Sequence, residues 1–513
     1  MTLDQRLLAS ARQFRERPAI TAAGVRASYK ELFSVAVGVC GRLEAEGVKP
    51  GQLIAVYGER SFATYASILG ILLAGCGYVP LNVAFPEARN SQILSSSAAA
   101  ALLVDRNVAD EAIRQIGPAA TSLPVLGIDP PPEQAASGDA FDTFVSRRAL
   151  TTETIAYLLF TSGTTGVPKG VPISAGNLTS YIDAVHRLIP IDCSDRVLQA
   201  ADLTFDLSVH DMMLCWLNGA ELVVAPQNGA ILAPRLIRTH EITACLIVPS
   251  AAAKAIELGL VSPDSMPSLK YSLFAGEALP VSLSRKWHVA APSAALYNMY
   301  GPTESTIHTS HYRVDPQDFY QGSVTPIGWP IDGQRISIRD ADGGEVQAGD
   351  TGEIWLSGPQ MTEGYWNAPA LTAEKFAFQA GQRWYRTGDL GRWDPQHGII
   401  FAGRVDRQVK ILGYRIELQD VEAALAKAAG TEQVAAIVRL KQEGGSDAII
   451  VGFIAGRQVF TDEIKAGLRG LLPYYMLPRE MHFIADLPVN ANGKIDYRAL
   501  EKLHDSLRMA AIP

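Results

Sequence analysis

Long apolar runs, paired cysteines and runs of one charge are all missing from this 513-residue chain. Ser67 to Leu81 is apolar but short and broken by glycine, so it cannot span a bilayer. The N-terminus, MTLDQRLLASARQFRERPAI, reads as an amphipathic helix without the apolar heart of a signal peptide. A cytoplasmic protein with no membrane partner is the expectation. The five cysteines (Cys40, Cys76, Cys193, Cys215, Cys245) are scattered without a CxxC pair. That argues for buried reduced thiols and against a zinc site or a disulfide framework. No Lys/Arg run occurs and the formal charge is -8, which argues against nucleic acid as a partner. Repeats and low-complexity tracts are absent as well.

What is present describes an ordinary globular protein. Hydrophobic residues make up 48% and charged residues 19%, and the chain is too long for one core, so two or more domains are expected. Helical and strand-like segments alternate, which favours α/β layers with largely parallel sheets. Leu53 to Tyr57, Ala99 to Val104 and Leu222 to Ala225 read as strands, and Thr64 to Ala74 as a buried helix. The Pro-rich stretch from Asp129 to Gly138 reads as a surface connection. The main boundary falls near Gly403-Arg-Val-Asp406, where Gly398 to Ala402 ends one pattern and Val409 starts another, followed by an amphipathic helix from Gln419 to Ala429. The division is therefore 1–403 and 404–513, the latter a small α+β unit.

The richest stretch is IAYLLFTSGTTGVPKGV, Ile155 to Val171. A strand, Ile155 to Phe160, empties into Thr161-Ser162-Gly163-Thr164-Thr165-Gly166-Val-Pro-Lys169-Gly. Glycines let backbone approach an anion, hydroxyls add donors and Lys169 adds positive charge. Leu178, Tyr181, Ile182, Val185 and Ile189 then fall at helical spacing, with Asn177 available as N-cap. Strand, loop and helix in that order suit phosphate binding. A Walker A loop is excluded, because a proline precedes the lysine and a glycine follows it.

The loop resembles the nucleotide loop of the adenylate-forming superfamily: acyl-CoA synthetases, luciferases and the adenylation domains of nonribosomal peptide synthesis. Further motifs of that superfamily follow in order: Ser28-Tyr-Lys-Glu-Leu32, Leu73-Ala-Gly-Cys-Gly-Tyr-Val-Pro80, Asn298-Met-Tyr-Gly-Pro-Thr-Glu304, Tyr385-Arg-Thr-Gly-Asp389, Gly403 to Arg415, and Asn490-Ala-Asn-Gly-Lys494. The resemblance implies a large N-terminal domain of layered sheets and helices plus a small mobile C-terminal lid. It implies ATP and Mg²⁺, with Thr161, Ser162, Gly163, Thr164, Thr165, Gly166 and Lys169 around the outer phosphates. Tyr300 would stack on adenine, with Asn298 along its edge and Gly301 beside it. Thr303 would lie near the α-phosphate, Glu304 would bind Mg²⁺, and Asp389 would hold the ribose, with Arg404 as a second ribose or phosphate contact. By the same resemblance Lys494 is the catalytic lysine of adenylation and Asp406 the hinge. Lys410 to Tyr414 would replace Lys494 in a second orientation, with Lys410 counted as catalytic there.

One departure bears on the subfamily. Many relatives carry a histidine where this chain reads Pro172-Ile-Ser-Ala175-Gly-Asn-Leu, a variant that resembles stand-alone D-alanine:carrier-protein ligases.

Phe205-Asp206-Leu-Ser208 bears on the substrate. In amino-acid-activating relatives this aspartate pairs with the α-ammonium, and a carboxylate in an apolar segment needs a partner. Its plainer role would be a helix cap. Motif alignment makes Leu207, His210, Leu246, Leu273, Ala275, Met299, Ile307 and His308 the remaining pocket walls. They suit a small or medium uncharged side chain, with His210 and His308 able to bond a hydroxyl. The sequence stops at Pro513, soon after Lys494, so a separate phosphopantetheinylated carrier protein is the expected acceptor. An acyl-CoA synthetase acting on an acid without an amine is the alternative enzyme, and a degenerate adenylate sensor the non-enzymatic one.

Overall fold

Alternating apolar strands and helices build two large sheets that sandwich helices between them. The computed structural model describes the chain except for residues 109–115, 117–122, 129–139, 146–149, 162–167, 228, 441–447, 457–460, 490–494 and 511–513. The expected connection at Asp129 to Gly138 and the Asn490 to Lys494 motif lie outside the described residues.

One sheet runs in the order Trp329–Pro330, Ser310–Arg313, Ala295–Tyr300, Tyr271–Phe274, Ala244–Ile247, Arg196–Gln199, Glu221–Val224, Pro18–Ala22, Val25–Ser28. It is parallel from Ala295–Tyr300 to Pro18–Ala22 and antiparallel at both edges. The other orders Val125–Ile128, Ala101–Asp105, Leu53–Tyr57, Gly77–Leu81, Ile155–Thr161 and Lys169–Ser174, with only the last pair antiparallel. Helices Tyr29–Ala45, Phe62–Leu73, Ala175–Leu188 and Asp206–Leu217 share one core with both sheets. Phe62–Leu73 is buried at every residue, as a helix apolar all round must be. The expected strands and buried helix are present, Leu53–Tyr57 with the expected bounds and the others with ends shifted by one or two residues.

A third sheet was not anticipated as antiparallel. It joins Arg335–Arg339, Gly352–Ser357, Gln382–Asp394, Phe376–Gln379 and Gly398–Arg404, and adds Ile338, Leu356, Tyr385 and Ile399 to the same core. After it comes the hairpin Val409–Ile411/Tyr414–Ile416. Its two-residue turn, Leu412 and Gly413, has φ of 53° and 79°, the left-handed pair that a tight hairpin requires.

The remaining chain has cores of its own. The three-stranded sheet Val434–Leu440, Ala448–Ala455, Glu480–Ile484 separates them by simple alternation. Val434, Ala436, Ile450 and Ile454 face helices Leu418–Ala429 and Thr461–Arg469, while Ala435, Ile437, Val451 and Phe453 join Leu500 of helix Tyr497–Ala510. All five cysteines are unbridged. No helix among the described residues is long and apolar enough to cross a membrane.

Candidate active site

The glycine-hydroxyl loop does not open straight into a helix. Lys169–Ser174 is a strand, antiparallel to Ile155–Thr161 with Thr161 opposite Lys169, so the two flanks of the loop lie side by side. Val171 and Ile173 bury on one edge of a short period-two pattern, which the glycines around it obscured in the sequence. The following helix is capped by Ser174, whose hydroxyl accepts from Asn177 N at 3.1 Å while Asn177 Oδ1 accepts from Ser174 N. Asn177 is therefore the reciprocal partner in the capping box, not the N-cap itself. Ser162, Gly163, Thr164, Thr165 and Gly166 lie outside the described residues. At the hairpin base, Thr161 Oγ1 is buried without a hydrogen-bond partner among the described residues. Lys169 Nζ is buried 3.9 Å from Glu417 Oε1 and 5.5 Å from the centre of the Tyr365 ring. Burial, with Arg415 nearby, brings the Lys169 ammonium down to about 8, against the pull of Glu304 and Glu417. Burial weakens this ammonium's hold on its proton without removing its charge at neutral pH, a cost that an incoming anion would offset.

Strand Ala295–Tyr300 delivers the next group. Asn298 Nδ2 donates to the carbonyls of Thr325 (3.1 Å) and Pro326 (2.8 Å), leaving Oδ1 for any ligand. A Cβ at Gly301 would meet Ile307 O at 2.5 Å, so only glycine lets these backbones pass. The turn Thr303–Ser305 then aims the fully enclosed Glu304 at Arg415, whose Nη1 donates to both carboxylate oxygens at 3.1 and 3.2 Å. Tyr365 donates its hydroxyl to Oε1 at 2.6 Å. Burial opposes ionisation of Glu304, but Arg415 and Lys169 prevail and hold its carboxyl at about 2.

The third sheet supplies a second carboxylate cluster. Tyr300 donates to Asp389 Oδ2 at 2.7 Å and Arg404 bonds Asp389 Oδ1. Arg404 also makes twin bonds to Asp406, 2.7 and 2.9 Å. Burial opposes the Asp406 charge, yet these bonds keep its carboxyl below the usual range.

The hairpin that starts the C-terminal part enters this site. Lys410 reaches the cavity shared by Asp206, Thr303, Asp389 and Arg404, and lies 6.0 Å from the Tyr300 ring centre. Gly413 N donates to Glu277 Oε1 at 2.7 Å. A Cβ at Gly413 would meet Val248 Cγ1 at 2.5 Å, so the tip fits only as glycine. Tyr414 stacks on Tyr475 at 3.7 Å and meets Phe205 edge-on at 4.6 Å.

Asp206 begins helix Asp206–Leu217 and faces the same cavity with Thr161, Leu207, Ile307 and His308. It has no ion pair among the described residues, and burial pushes its carboxyl up to about 6, partly opposed by Thr303. Met299 lines the adjoining space with Asn298 and Tyr300, Leu246 lines a third with Leu207, and Leu273, Ala275 and His210 are buried. His210 and His308 already share a hydroxyl: Tyr181 Oη lies 2.7 and 2.8 Å from their Nδ1 atoms. Burial lowers His210 to about 4 and His308 well below its ordinary value, so both rings are neutral.

Sequence reasoning missed Arg415, Tyr365, Glu277 and Tyr181 as parts of the site. Arg415 stood in a quoted motif without a role. Glu277, a lone carboxylate in FAGEALP, carried a usable signal. Nothing in the sequence distinguished Tyr181 and Tyr365 from core tyrosines.

A buried set of paired phosphate-suited charges, between a layered α/β body and a small C-terminal unit, defines an adenylate-forming ligase. Residues 7–366 match the AMP-binding enzyme family and residues 420–494 the AMP-binding enzyme C-terminal domain. The chain belongs to the AMP-binding enzyme family and is of the nonribosomal-peptide adenylation type. It is 33% identical to syringomycin synthase SyrB1 of Pseudomonas syringae pv. syringae, over 96% of this chain and 80% of that one. Other curated relatives are far longer: the chain spans 7%, 6% and 9% of three that it matches at 32%, 35% and 34% identity. Among solved structures, the Vibrio cholerae adenylation domain AlmE with glycyl-adenosine-5'-phosphate superimposes with TM-score 0.87, at 28% identity over 98% of both chains. Holo-PA1221, an NRPS protein with adenylation and PCP domains bound to a vinylsulfonamide inhibitor, gives 0.80 at 26% identity, over 98% of this chain and 84% of that one.

Proposed function

We propose that this protein uses ATP and Mg²⁺ to convert a small or medium uncharged amino acid to its aminoacyl-adenylate, then passes the acyl group to the phosphopantetheine thiol of a separate carrier protein. The observation that carries the amino-acid part is Asp206, a buried carboxylate without an ion pair among the described residues, facing the cavity. An α-ammonium there supplies the missing charge. The likeness to AlmE, described with a glycyl adenylate, supports an amino-acid substrate, and PA1221 supports a carrier as acceptor.

In this reading Thr161, Lys169 and the loop residues between them take the outer phosphates, and Asp389 accepts from the ribose hydroxyls with Arg404 orienting it. Glu304 suits a hard cation in charge and oxygen chemistry. In the described arrangement Arg415 occupies both its oxygens, so the cation is held only when the C-terminal hairpin withdraws. Mg²⁺ there would neutralise charge on phosphate oxygens. Asp406 is the pivot of that withdrawal, and Lys494 enters as the hairpin leaves. When the hairpin returns and Lys494 departs, Lys410 and Tyr414 serve the thiol-transfer arrangement.

Pyrophosphate exchange over the proteinogenic amino acids, their D-isomers and desamino analogues tests the reading. Activity confined to amino acids is expected, and equal activity with a desamino acid would overturn it. Lys494→Ala should cut adenylate formation by several orders of magnitude, a transition-state loss of ~3–4 kcal/mol or more, while transfer from a preformed adenylate persists.

A further inference from the structure

Apart from the residues that line that cavity, the last strand and last helix bring two histidines and a glutamate together. Glu480 and His482 sit two apart on Glu480–Ile484, so both project to one face. Their register partners, Val451 and Phe453, lie on the face covered by helix Tyr497–Ala510. That helix buries Leu500 and, one turn later, His504, whose side chain is 0% exposed. The three ligand-type atoms lie within 4.8 Å of one another, the one such group among the described residues.

We propose that Glu480, His482 and His504 bind a divalent transition-metal ion, with Zn²⁺ the best match. His504 Nε2 is 2.8 Å and His482 Nε2 3.8 Å from Glu480 Oε2. Tetrahedral zinc with bonds of about 2.0–2.2 Å needs ligand separations of about 3.3 Å, which small rotamer adjustments supply. Hydrogen bonding leaves this set incomplete: His482 Nε2 and His504 Nδ1 are buried without hydrogen-bond partners. A cation between the two Nε2 atoms engages the first. It also fixes the proton of His504 on Nδ1, facing Asp505 Oδ1 at 3.8 Å, a carboxylate itself bonded by Arg439. Metal-bound histidines commonly have such an outer carboxylate. Glu480 and His482 are partly exposed, which leaves room for a water as fourth ligand. Imidazole pairs select zinc-like ions over Mg²⁺, so this site and Glu304 differ in chemistry.

The ion would pin helix Tyr497–Ala510 to the sheet and close the loop of chain from His482 to His504, which contains Lys494 in sequence. A cross-link of that kind limits the unfolded chain and stabilises the native C-terminal part.

The test uses the full chain, stripped with chelator and titrated with Zn²⁺ against a chromophoric competitor in excess Mg²⁺. One equivalent should bind with sub-micromolar Kd and raise Tm by several degrees. His482→Ala should weaken binding at least 100-fold and abolish the Tm rise. Glu480→Gln keeps a hydrogen-bond acceptor for His504 but is a poor ligand, and should weaken binding at least tenfold even if His482→Ala disturbs the fold. Absence of stoichiometric binding by the wild-type protein, or undiminished affinity in both variants, would overturn the site.

Discussion

At one end of the site Glu304, fully enclosed, is gripped by Arg415 and stays ionised despite burial. At the other, Asp206 is also buried, has no ion pair among the described residues, and is pushed up to about 6. The first arrangement is electrostatically complete, so cations there must displace something that the protein already supplies. The second is incomplete: an ionised carboxylate there carries a desolvation cost that a cationic partner would relieve. A buried pair resists loss of either partner, whereas a buried single charge is stabilised by its own removal.

The strongest break of this comparison is Arg415→Ala. It leaves Glu304 enclosed without its main counter-charge, and should lower stability by about 3–5 kcal/mol at pH 7 in urea unfolding. Glu304 has a depressed carboxyl, so its contribution is present above the unfolded value of 4.5 and disappears as pH falls toward about 2. The gap between wild type and variant should therefore shrink on acidification. A pH-independent gap would assign the loss to packing.

Asp206→Asn should act with the opposite sign. A raised carboxyl contributes stability only at low pH and loses it as pH rises through about 6, so at pH 7 the ionised Asp206 is a net cost. Removing the charge should stabilise the apo protein by about 2–3 kcal/mol, from two pKa units at about 1.4 kcal/mol each. The same substitution should cut amino-acid activation at least 100-fold. Destabilisation by Asp206→Asn would erase the contrast between the two ends.

The third effect is smaller. If only ionised Asp206 accepts the ammonium, kcat/KM for the amino acid should fall about tenfold per pH unit below about 6, with a one-proton slope. Glu304, at about 2, adds no limb in this range. Exchange kinetics between pH 5 and 8 check this, and a flat profile would mean that Asp206 is already ionised by a partner before substrate arrives.

The contrast also explains what could be read from the sequence. Asp389, Arg404, Glu304 and Lys169 stood in ordered motifs because their chemistry fixes both residue type and spacing. Their partners did not stand out: Arg415 lies 111 residues from Glu304, and only the fold brings it there. The parallel sheets were legible as apolar runs, but strand Lys169–Ser174 was hidden by the glycines and proline around it. The antiparallel sheet around Asp389 has half-buried strands whose pattern is weaker, as in Arg335–Arg339 and Phe376–Gln379. Counting cysteines was blind to the Glu480, His482 and His504 group, since two of its members come from a strand and the third from a helix after it.

The smallest expected effect concerns the hydroxyl between the two pocket histidines, which lies in no quoted motif. A tyrosine O–H donates once, so with both rings neutral one histidine accepts from Tyr181 and the other donates to it. His308 therefore carries its remaining hydrogen-bond capacity on Nε2, either as donor or as acceptor, and that atom has no partner among the described residues. Tyr181→Phe removes the shared hydroxyl and leaves both Nδ1 atoms buried and unpaired. The loss should be about 1–3 kcal/mol of stability, less than for Arg415→Ala because every group involved is neutral. Without the shared hydroxyl, neither tautomer of His308 is favoured. If a hydroxylated substrate side chain bonds His308, Tyr181→Phe should shift the ratio of threonine to valine activation by up to about tenfold, and leave that ratio untouched if the substrate is apolar. Measuring stability and this ratio together separates a packing role from a selective one: a stability loss with an unchanged ratio would make the two histidines and Tyr181 a structural floor beneath the Asp206 end.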